Sequence, residues 1–306
     1  MTRPGDPKPP RRITPLATPA FAPPAAGFPL AQDALVTLVR AALDEDRAFE
    51  DVTTIATVVS ARHARAALVA RADGVVAGVP LALAAFHLLD SHVEIRVDAE
   101  DGTPVRRGDT VLFLSGSARG LLSAERVALN FLQRLSGVAT LTARYVEAVR
   151  GTGTAILDTR KTTPGWRALE KYAVRRGGGV NHRPDLSAAV LIKDNHIAAC
   201  EGDVALAVQR ARTHAPEGML VQVECDTLLQ VREAIRAGVD ALLLDNMPDH
   251  ALSQAVQIAK GKCITEASGG VSLATVRAIA ETGVDRISVG ALTHSAPSLD
   301  LALDFE

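Results

Sequence analysis

Residues 237–245 read AGVDALLLD, and residues 282–290 repeat the same pattern as TGVDRISVG. In each copy a glycine stands where a helix would end, and a short, largely apolar run then ends on a carboxylate or a small residue. Similar runs recur through the second half of the chain, at 154–158, 189–193, 220–224 and 263–268. Helical patterns separate the strand runs, at 203–212, 227–237, 249–259 and 272–282. This alternation predicts a parallel sheet covered by helices.

The residues that end these runs distinguish a barrel from an open sheet. They are Asp158, Lys193, Glu224, Asp245, Ser268 and Gly290. In a β/α barrel all strand ends converge on one mouth, whereas an open doubly wound sheet needs functional groups only near its switch point. The pattern therefore favours a barrel, with the open sheet as the alternative.

The first half of the chain has a different order of predicted helices and strands. A helical pattern comes first and short β-branched or alternating runs follow it, at 31–43, 65–71, 93–97 and 110–115. They predict a small antiparallel α/β domain, with the apolar stretch 74–89 as buried core. A long helix is predicted over 123–149, with Ser123 as its N-cap and Ser136-Gly137 as a candidate interruption.

Composition and charge exclude several classes of partner. The 306 residues carry a formal net charge of −2, so the basic excess typical of nucleic-acid binders is absent. No apolar stretch is long enough for a membrane span. The Pro- and Ala-rich residues 1–28 are expected to be disordered, and they lack the apolar core of a secretory signal. Because the three cysteines form no CxxC motif, we expect reduced thiols in a cytoplasmic protein.

Cations nevertheless cluster in one segment. The candidate site cations are Arg160, Lys161, His182, Arg183 and Lys193. They suit carboxylates or phosphates, because arginine offers a planar fork and lysine a compact charge. Their predicted positions near neighbouring strand ends indicate a site for anions. A solvated charged surface is the alternative, and it is the preferred interpretation for Arg175 and Arg176.

Two carboxylates, Glu224 and Asp245, each end an apolar run. Carboxylates at such positions are costly unless a cation compensates them. Mg²⁺ held mostly through water and substrate phosphates fits this pair. An internal salt bridge with Lys193 is the simpler alternative.

Small residues at the last two strand ends predict a phosphate site. Ser268-Gly269-Gly270 and Val289-Gly290-Ala291 stand next to predicted helix starts, where backbone N–H groups attract anions. His294 follows closely and is a candidate for the same anion, although a structural role fits this histidine equally well.

Seven motifs, in this order along the chain, resemble the quinolinate phosphoribosyltransferase family. They are ERVALNFL at 125–132, SGVAT at 136–140, DTRKTTPG at 158–165, GGGVNHR at 177–183, KDNH at 193–196, LDNM at 244–247 and EASGG at 266–270. The similarity runs from near residue 30 to the C-terminus. Two positions depart from the family's usual pattern: Glu50 stands where glycine is usual, and Trp166 replaces leucine. Both departures concern local loop geometry rather than the charged site.

The resemblance implies an α/β protein with an N-terminal α/β sandwich domain and a C-terminal incomplete α/β barrel of fewer than eight strands. We accordingly divide the chain into a disordered tail at 1–28, a sandwich domain at 29–135 that is rejoined by 295–306, and a barrel catalytic domain at 136–294. The resemblance also implies a homodimer in which Arg126 enters the active site of the neighbouring subunit, with a hexamer as a further assembly.

The activity implied by the resemblance is phosphoribosyl transfer from phosphoribosyl pyrophosphate to quinolinate with decarboxylation. The products are nicotinate mononucleotide, pyrophosphate and CO₂, in NAD biosynthesis. The residues implied to bind quinolinate are Arg126, Arg160, His182, Arg183 and Lys193. Those implied to bind phosphoribosyl pyrophosphate with Mg²⁺ are Lys161, Glu224, Asp245, Ser268, Gly269, Gly270, Val289, Gly290, Ala291 and His294, with Thr159 beside them. The expected catalytic groups are Lys161, Lys193, Glu224 and Asp245, of which Glu224 and Asp245 reach the metal through water.

Three rival functions stay open on the sequence. A paralogous phosphoribosyltransferase acting on another heteroaromatic acid would not need a pocket for two carboxylates. A Schiff-base barrel aldolase would use Lys193 as its nucleophile, although such an enzyme needs few arginines. A non-catalytic sensor of phosphoribosyl ligands would bind them without releasing pyrophosphate.

Overall fold

The structure, a computed structural model, describes residues 27–305. Its helices are α1 (Gln32–Glu45), α2 (Val52–Thr57), α3 (Val79–Leu89), α4 (Ala118–Ala148), α5 (Arg167–Arg176), α6 (Asp194–Ala198), α7 (Val204–His214), α8 (Leu228–Arg236), α9 (Asp249–Ala259), α10 (Val276–Glu281) and α11 (Ala291–His294). Its strands are β1 (His63–Ala70), β2 (Gly74–Val75), β3 (Glu94–Val97), β4 (Pro104–Val105), β5 (Thr110–Ser117), β6 (Ala155–Leu157), β7 (Val190–Ile192), β8 (Val221–Cys225), β9 (Ala241–Asp245), β10 (Ile264–Ser268), β11 (Arg286–Ser288) and β12 (Leu301–Phe305). All but two residues of the expected disordered tail lie outside the described residues.

An antiparallel sheet forms the N-terminal part, with the strand order β12-β1-β5-β3. β1 alternates between exposed and buried positions through its first half, as expected of a strand with one face on a core. Leu68 of β1 lies opposite Leu112 of β5, and both are fully buried. Helices α1, α3 and α4 pack together beside this sheet. The C-terminal strand β12 pairs with β1, so the chain returns to this sheet after the barrel.

Helix α4 is longer than predicted and begins earlier. Its N-cap is Ser117, whose hydroxyl accepts from the Gly120 N–H, so the prediction of Ser123 as N-cap is wrong. The helix also continues through Ser136-Gly137 without interruption. The Ser136 hydroxyl accepts from the Ala77 N–H at 2.9 Å, and a Cβ on Gly137 would lie 2.1 Å from the Pro297 carbonyl oxygen. Both small residues therefore serve close packing rather than a break.

Six parallel strands form the C-terminal part, in the order β6-β11-β10-β9-β8-β7. A parallel bridge between Leu157 and Val180 adds an extended segment beside β6. The sheet is an incomplete α/β barrel, which confirms the expected fold class. The domain boundaries stay predictions.

Helix α5 is absent from the sequence-based prediction. Its Glu170 and Lys171 are buried, which conceals the apolar stripe that would reveal a helix. Arg175 at its end is exposed, as predicted, whereas Arg176 is half-buried, with its guanidinium 4.7 Å from the centre of the Tyr172 ring.

The described helices contain no candidate membrane span. None of those between residues 27 and 305 is both long and apolar enough to cross a bilayer. The cytoplasmic location stays a prediction.

Candidate active site

The carboxyl ends of the parallel strands place the predicted residues in a row. Ser268 of β10 lies opposite Asp245 of β9, and Glu224 of β8 lies beside β9. Lys193 follows β7 at one edge of the sheet, and the 158–161 loop follows β6 at the other. The row therefore has cations at both ends and two carboxylates between them.

Lys193 and Glu224 form an ion pair. The Lys193 Nζ lies 2.5 Å from Glu224 Oε2, and the two side chains are 47% and 13% exposed. The internal salt bridge, the simpler interpretation of these residues, is thus present. It compensates the carboxylate that ends the apolar strand.

Asp245 is oriented by the residue that follows it. Asn246 adopts a left-handed backbone conformation with φ of 52°, which asparagine tolerates better than most residues. Its side-chain amide donates to Asp245 Oδ2 at 2.7 Å, and its backbone N–H donates to the Ser268 carbonyl at 2.9 Å. Asn246 thereby ties the β9 carboxylate to the β10 turn that contains Gly269 and Gly270.

Lys161 and His294 meet over Gly290, although they are far apart in sequence. The point that a Cβ on Gly290 would occupy lies 3.3 Å from Lys161 Cδ and 3.0 Å from His294 Nε2. A side chain at position 290 would therefore press tightly against both. The Thr293 hydroxyl donates to the Lys161 carbonyl at 2.7 Å. We call Lys161, Gly290 and His294 the phosphate corner.

Thr159, Val289 and Ala291 support this corner through the backbone. The Thr159 hydroxyl accepts from the Lys161 N–H at 3.0 Å. Val289 is buried, with its N–H donating to the Leu157 carbonyl, and Ala291 begins α11. Their expected role is therefore to shape the turn.

Arg160 and Arg183 form a cationic pair. Burial lowers the pKa of Arg183, the positive charge of Arg160 lowers it further, and the carboxylate of Asp185 opposes the shift. The Arg160 Nε is buried and makes no hydrogen bond within residues 27–305. Arg183 donates to the Ala189 carbonyl at 2.8 Å, which uses one of its five donors. Two adjacent guanidinium groups with free donors form a site for a carboxylate or another anion.

The His182 side chain is largely buried, and both of its ring nitrogens lie next to protein groups. Its Nδ1 accepts from the Arg183 N–H at 2.8 Å, and its Nε2 lies 3.3 Å from Glu266 Oε1. The pKa of Glu266 is raised by burial but lowered more strongly overall by its neighbours, His182 first. Gln222 donates to the other Glu266 oxygen at 3.0 Å. In this conformation both ring nitrogens already face protein partners.

The loop that carries His182 and Arg183 is held by a buried ion pair. Lys171 and Asp158 are 5% and 0% exposed, with Lys171 Nζ 2.5 Å from Asp158 Oδ1. Lys171 also donates to the His182 carbonyl at 2.9 Å, and the His182 N–H donates to Asp158 at 2.8 Å. Burial raises the pKa of Asp158, and Lys171 opposes that shift. Asp158 therefore holds the backbone of the His182 loop and is not itself exposed to a ligand.

The sequence analysis missed Glu266 and Lys171 as supporting residues. Glu266 had a signal, because a carboxylate within the apolar run 263–268 needs a buried partner. Lys171 had none, since a lysine in a polar segment gives no sign of being buried.

Arg126 lies apart from the strand ends within one chain. It is exposed on α4 and lines a surface hollow together with Asp46, Arg47, Glu50 and Asp51. No strand-end residue belongs to that hollow. The structure of a single chain therefore does not bring Arg126 to the other predicted site residues.

The carboxylates Glu224 and Asp245 fit a metal ion that takes only part of its ligands from the protein. Within residues 27–305, no group of three or more His, Cys, Asp or Glu side chains could hold a metal ion. Glu224 and Asp245 remain as two carboxylates on neighbouring strands. Mg²⁺ is typically bound by one or two carboxylates together with water and substrate phosphates.

Comparison of the sequence and the fold with those of known proteins identifies a family. Family models described as the N-terminal and C-terminal domains of quinolinate phosphoribosyl transferase match residues 51–136 and 138–304. The nicotinate-nucleotide pyrophosphorylase (carboxylating) of Mycobacterium leprae is 45% identical over 280 residues, 89% of this chain and 97% of the relative. The probable enzyme of that name from Bacillus subtilis is 43% identical over 260 residues, 85% and 89% of the two chains. The structure of nicotinate-nucleotide pyrophosphorylase from Francisella tularensis superposes with a TM-score of 0.85 at 39% identity, covering 90% of this chain and 98% of its own. The chain belongs to the quinolinate phosphoribosyltransferase family.

Proposed function

We propose that this chain is a decarboxylating quinolinate phosphoribosyltransferase, a pentosyltransferase of NAD biosynthesis. It transfers the phosphoribosyl group of phosphoribosyl pyrophosphate to quinolinate and gives nicotinate mononucleotide, pyrophosphate and CO₂. The observation that carries the proposal is the cationic pair Arg160 and Arg183, which shares the site with the strand-end carboxylates Glu224 and Asp245. Turnover of quinolinate in the presence of phosphoribosyl pyrophosphate and Mg²⁺, followed as pyrophosphate release, tests it.

The arginine side of the site matches a dicarboxylate. Arg160 has a buried Nε without a partner among the described residues, and burial beside that arginine lowers the pKa of Arg183. A bound carboxylate would supply the missing acceptor and relieve the repulsion between the two cations. His182 would support the arginine pair, because its Nδ1 accepts from the Arg183 backbone N–H and so helps to orient Arg183.

The phosphate side matches phosphoribosyl pyrophosphate. The phosphate corner offers a lysine and a histidine over a glycine, and Ser268, Gly269 and Gly270 provide a compact turn on the neighbouring strand. Glu224 and Asp245 would hold Mg²⁺ through water. When bound, Mg²⁺ would neutralise part of the pyrophosphate charge.

The first chemical step forms a bond from the quinolinate ring nitrogen to the anomeric carbon while the bond to pyrophosphate breaks. Positive charge develops on the ribose, and Glu224 and Asp245 lie on the adjacent strand ends where carboxylates would stabilise it. Lys161 and His294 would hold the departing pyrophosphate. Much of the rate would come from positioning the two substrates.

The second step breaks the bond to the carboxylate next to the ring nitrogen. The pyridinium nitrogen accepts the electron pair as CO₂ leaves, and the ring carbon then takes up a proton. Cations that hold this carboxylate too strongly would oppose its loss. The Lys193–Glu224 pair, in which the lysine charge is already partly compensated, suits that requirement.

The same ion pair disfavours a Schiff-base aldolase. The Lys193 Nζ already donates to Glu224 Oε2 at 2.5 Å, so it is engaged with the protein rather than free to attack a carbonyl substrate.

We propose in addition that the site is completed by a second copy of the chain, which contributes Arg126. The support is a run of exposed apolar side chains close in sequence, namely Phe49, Val52, Ile55 and Val59, of which Val52 is 78% exposed and lines the same hollow as Arg126. Exposed apolar side chains in such number suit an interface. The further assembly of dimers into a hexamer stays a prediction.

Mixed dimers test this arrangement. Co-expressed Arg126→Ala and Arg160→Ala chains, each inactive alone, should recover about one quarter of the wild-type activity, because half of random dimers contain one intact site. Pyrophosphate release from the mixture, with each variant alone as control, provides the measurement. If Arg126 acts in its own chain's site, no intact site forms and the mixture stays inactive.

A further inference from the structure

The two halves of the phosphate corner come from distant parts of the chain, and hydrogen bonds connect them in two ways. Lys161 belongs to the loop after β6, and His294 ends α11. The hydrogen bond from the Thr293 hydroxyl to the Lys161 carbonyl is one direct link between these segments. A second link runs through Arg134 on α4 and Glu170 on α5.

Glu170 fixes the loop that carries Lys161. It is fully buried, and both of its oxygens accept hydrogen bonds from Thr163: the backbone N–H donates to Oε2 at 3.0 Å and the hydroxyl to Oε1 at 2.9 Å. Thr163 stands two residues after Lys161. Glu170 therefore holds the end of this loop at two points.

Arg134 fixes the segment that carries His294. Its Nη1 donates to the Ala296 carbonyl at 2.8 Å, and its Nη2 donates to the Thr293 carbonyl. The same Nη2 donates to Glu170 Oε1 at 2.9 Å, and the arginine side chain is 25% exposed. One guanidinium thus spans the two carbonyls that flank His294 and the carboxylate that holds Thr163.

A purely structural role explains this arrangement poorly. A buried ion pair contributes little more to stability than apolar side chains of similar volume. This pair, however, directs its remaining hydrogen bonds to the two segments of the phosphate corner. Such bonds restrict the relative position of Lys161 and His294 more than apolar packing would.

We propose that Arg134 and Glu170 are positioning residues that set the distance between Lys161 and His294 for binding the pyrophosphate group. The inference rests on the proposed function, which assigns the phosphate corner to phosphoribosyl pyrophosphate. Arg134 holds the His294 segment, whereas Arg160 shares the 158–161 loop with Lys161, so a change at Arg134 is the one that should affect phosphoribosyl pyrophosphate selectively.

Two conservative variants test the proposal. Arg134→Lys keeps the charge but loses the fork, and Thr163→Val removes one hydroxyl from an exposed residue, so folding should survive. Each should raise the KM for phosphoribosyl pyrophosphate about tenfold, since small misplacements of binding groups are costly. In Arg134→Lys the dissociation constant of quinolinate, from isothermal titration, should change less than about twofold. Thr163→Ser should restore the wild-type KM.

The control is Arg277→Met, which removes an exposed, ion-paired arginine on α10 and should leave both constants unchanged. An unchanged KM for phosphoribosyl pyrophosphate in both variants, or an equal loss for the two substrates in Arg134→Lys, would overturn the inference. Failure of the proposed function gives a different result: the wild-type chain would not convert quinolinate, while titration with phosphoribosyl pyrophosphate would still compare the variants.

Discussion

Replacing Arg160 by alanine is expected to weaken quinolinate binding about 100- to 1,000-fold, equivalent to about 3–4 kcal/mol. Its buried Nε makes no hydrogen bond within the described residues, and its charge lowers the pKa of Arg183. Both observations support the proposal that this guanidinium binds a carboxylate of the substrate. Isothermal titration with quinolinate measures the loss.

Folding should not suffer in the same variant. Removing an unpaired cation beside Arg183 relieves repulsion, so the midpoint of urea unfolding should stay the same or rise. Arg160→Lys should give an intermediate affinity, because the charge remains without the planar fork. Arg150→Ala, which removes an exposed arginine two residues after the end of α4, is the matched control. Unchanged quinolinate affinity in Arg160→Ala would refute the assignment of this pocket.

Replacing Lys171 by methionine is expected to destabilise the protein by about 3–5 kcal/mol, because it leaves the carboxylate of Asp158 buried without its cation. Both side chains are almost completely buried, so water cannot take the place of the lysine. The free energy of unfolding in urea measures the effect. The double variant with Asp158→Asn should recover a large part of the loss, since no buried charge then remains unpaired.

The pH dependence of the Lys171 variant provides an independent check. Burial already raises the pKa of Asp158, and removing Lys171 removes the main opposing influence. The folded variant should therefore bind a proton more readily than the unfolded chain, and its stability deficit should shrink as pH falls from about 8 to about 5. A deficit that is independent of pH would contradict this explanation.

The strand ends of the barrel could be predicted from sequence because they depend on local patterns. Continuous apolar runs identify buried parallel strands, and a carboxylate or lysine at the end of such a run stands out against its neighbours. Lys193, Glu224 and Asp245 were found in this way, and the structure places Lys193 and Glu224 in contact. Their roles in substrate binding remain predictions.

The supporting residues could not be predicted in the same way. Glu170 and Lys171 look like ordinary surface residues of a polar segment, yet each is buried by tertiary contacts. Arg134 gives no local sign of bonding to carbonyls more than 150 positions away. The start of α4 was placed too late because Ser123 and Ser117 are equally plausible caps on propensity alone.

The most direct test of the central claim is the stoichiometry of turnover. Quinolinate labelled in the carboxylate next to the ring nitrogen is incubated with phosphoribosyl pyrophosphate and Mg²⁺, and the pyrophosphate and labelled CO₂ released are compared with the nicotinate mononucleotide formed. Nicotinate replaces quinolinate in a parallel reaction. We predict equal amounts of the three products, and a kcat/KM for nicotinate lower by at least about 100-fold, because the arginine pair would lose its second carboxylate. Comparable use of nicotinate, or pyrophosphate release without CO₂ from quinolinate, would contradict the assignment.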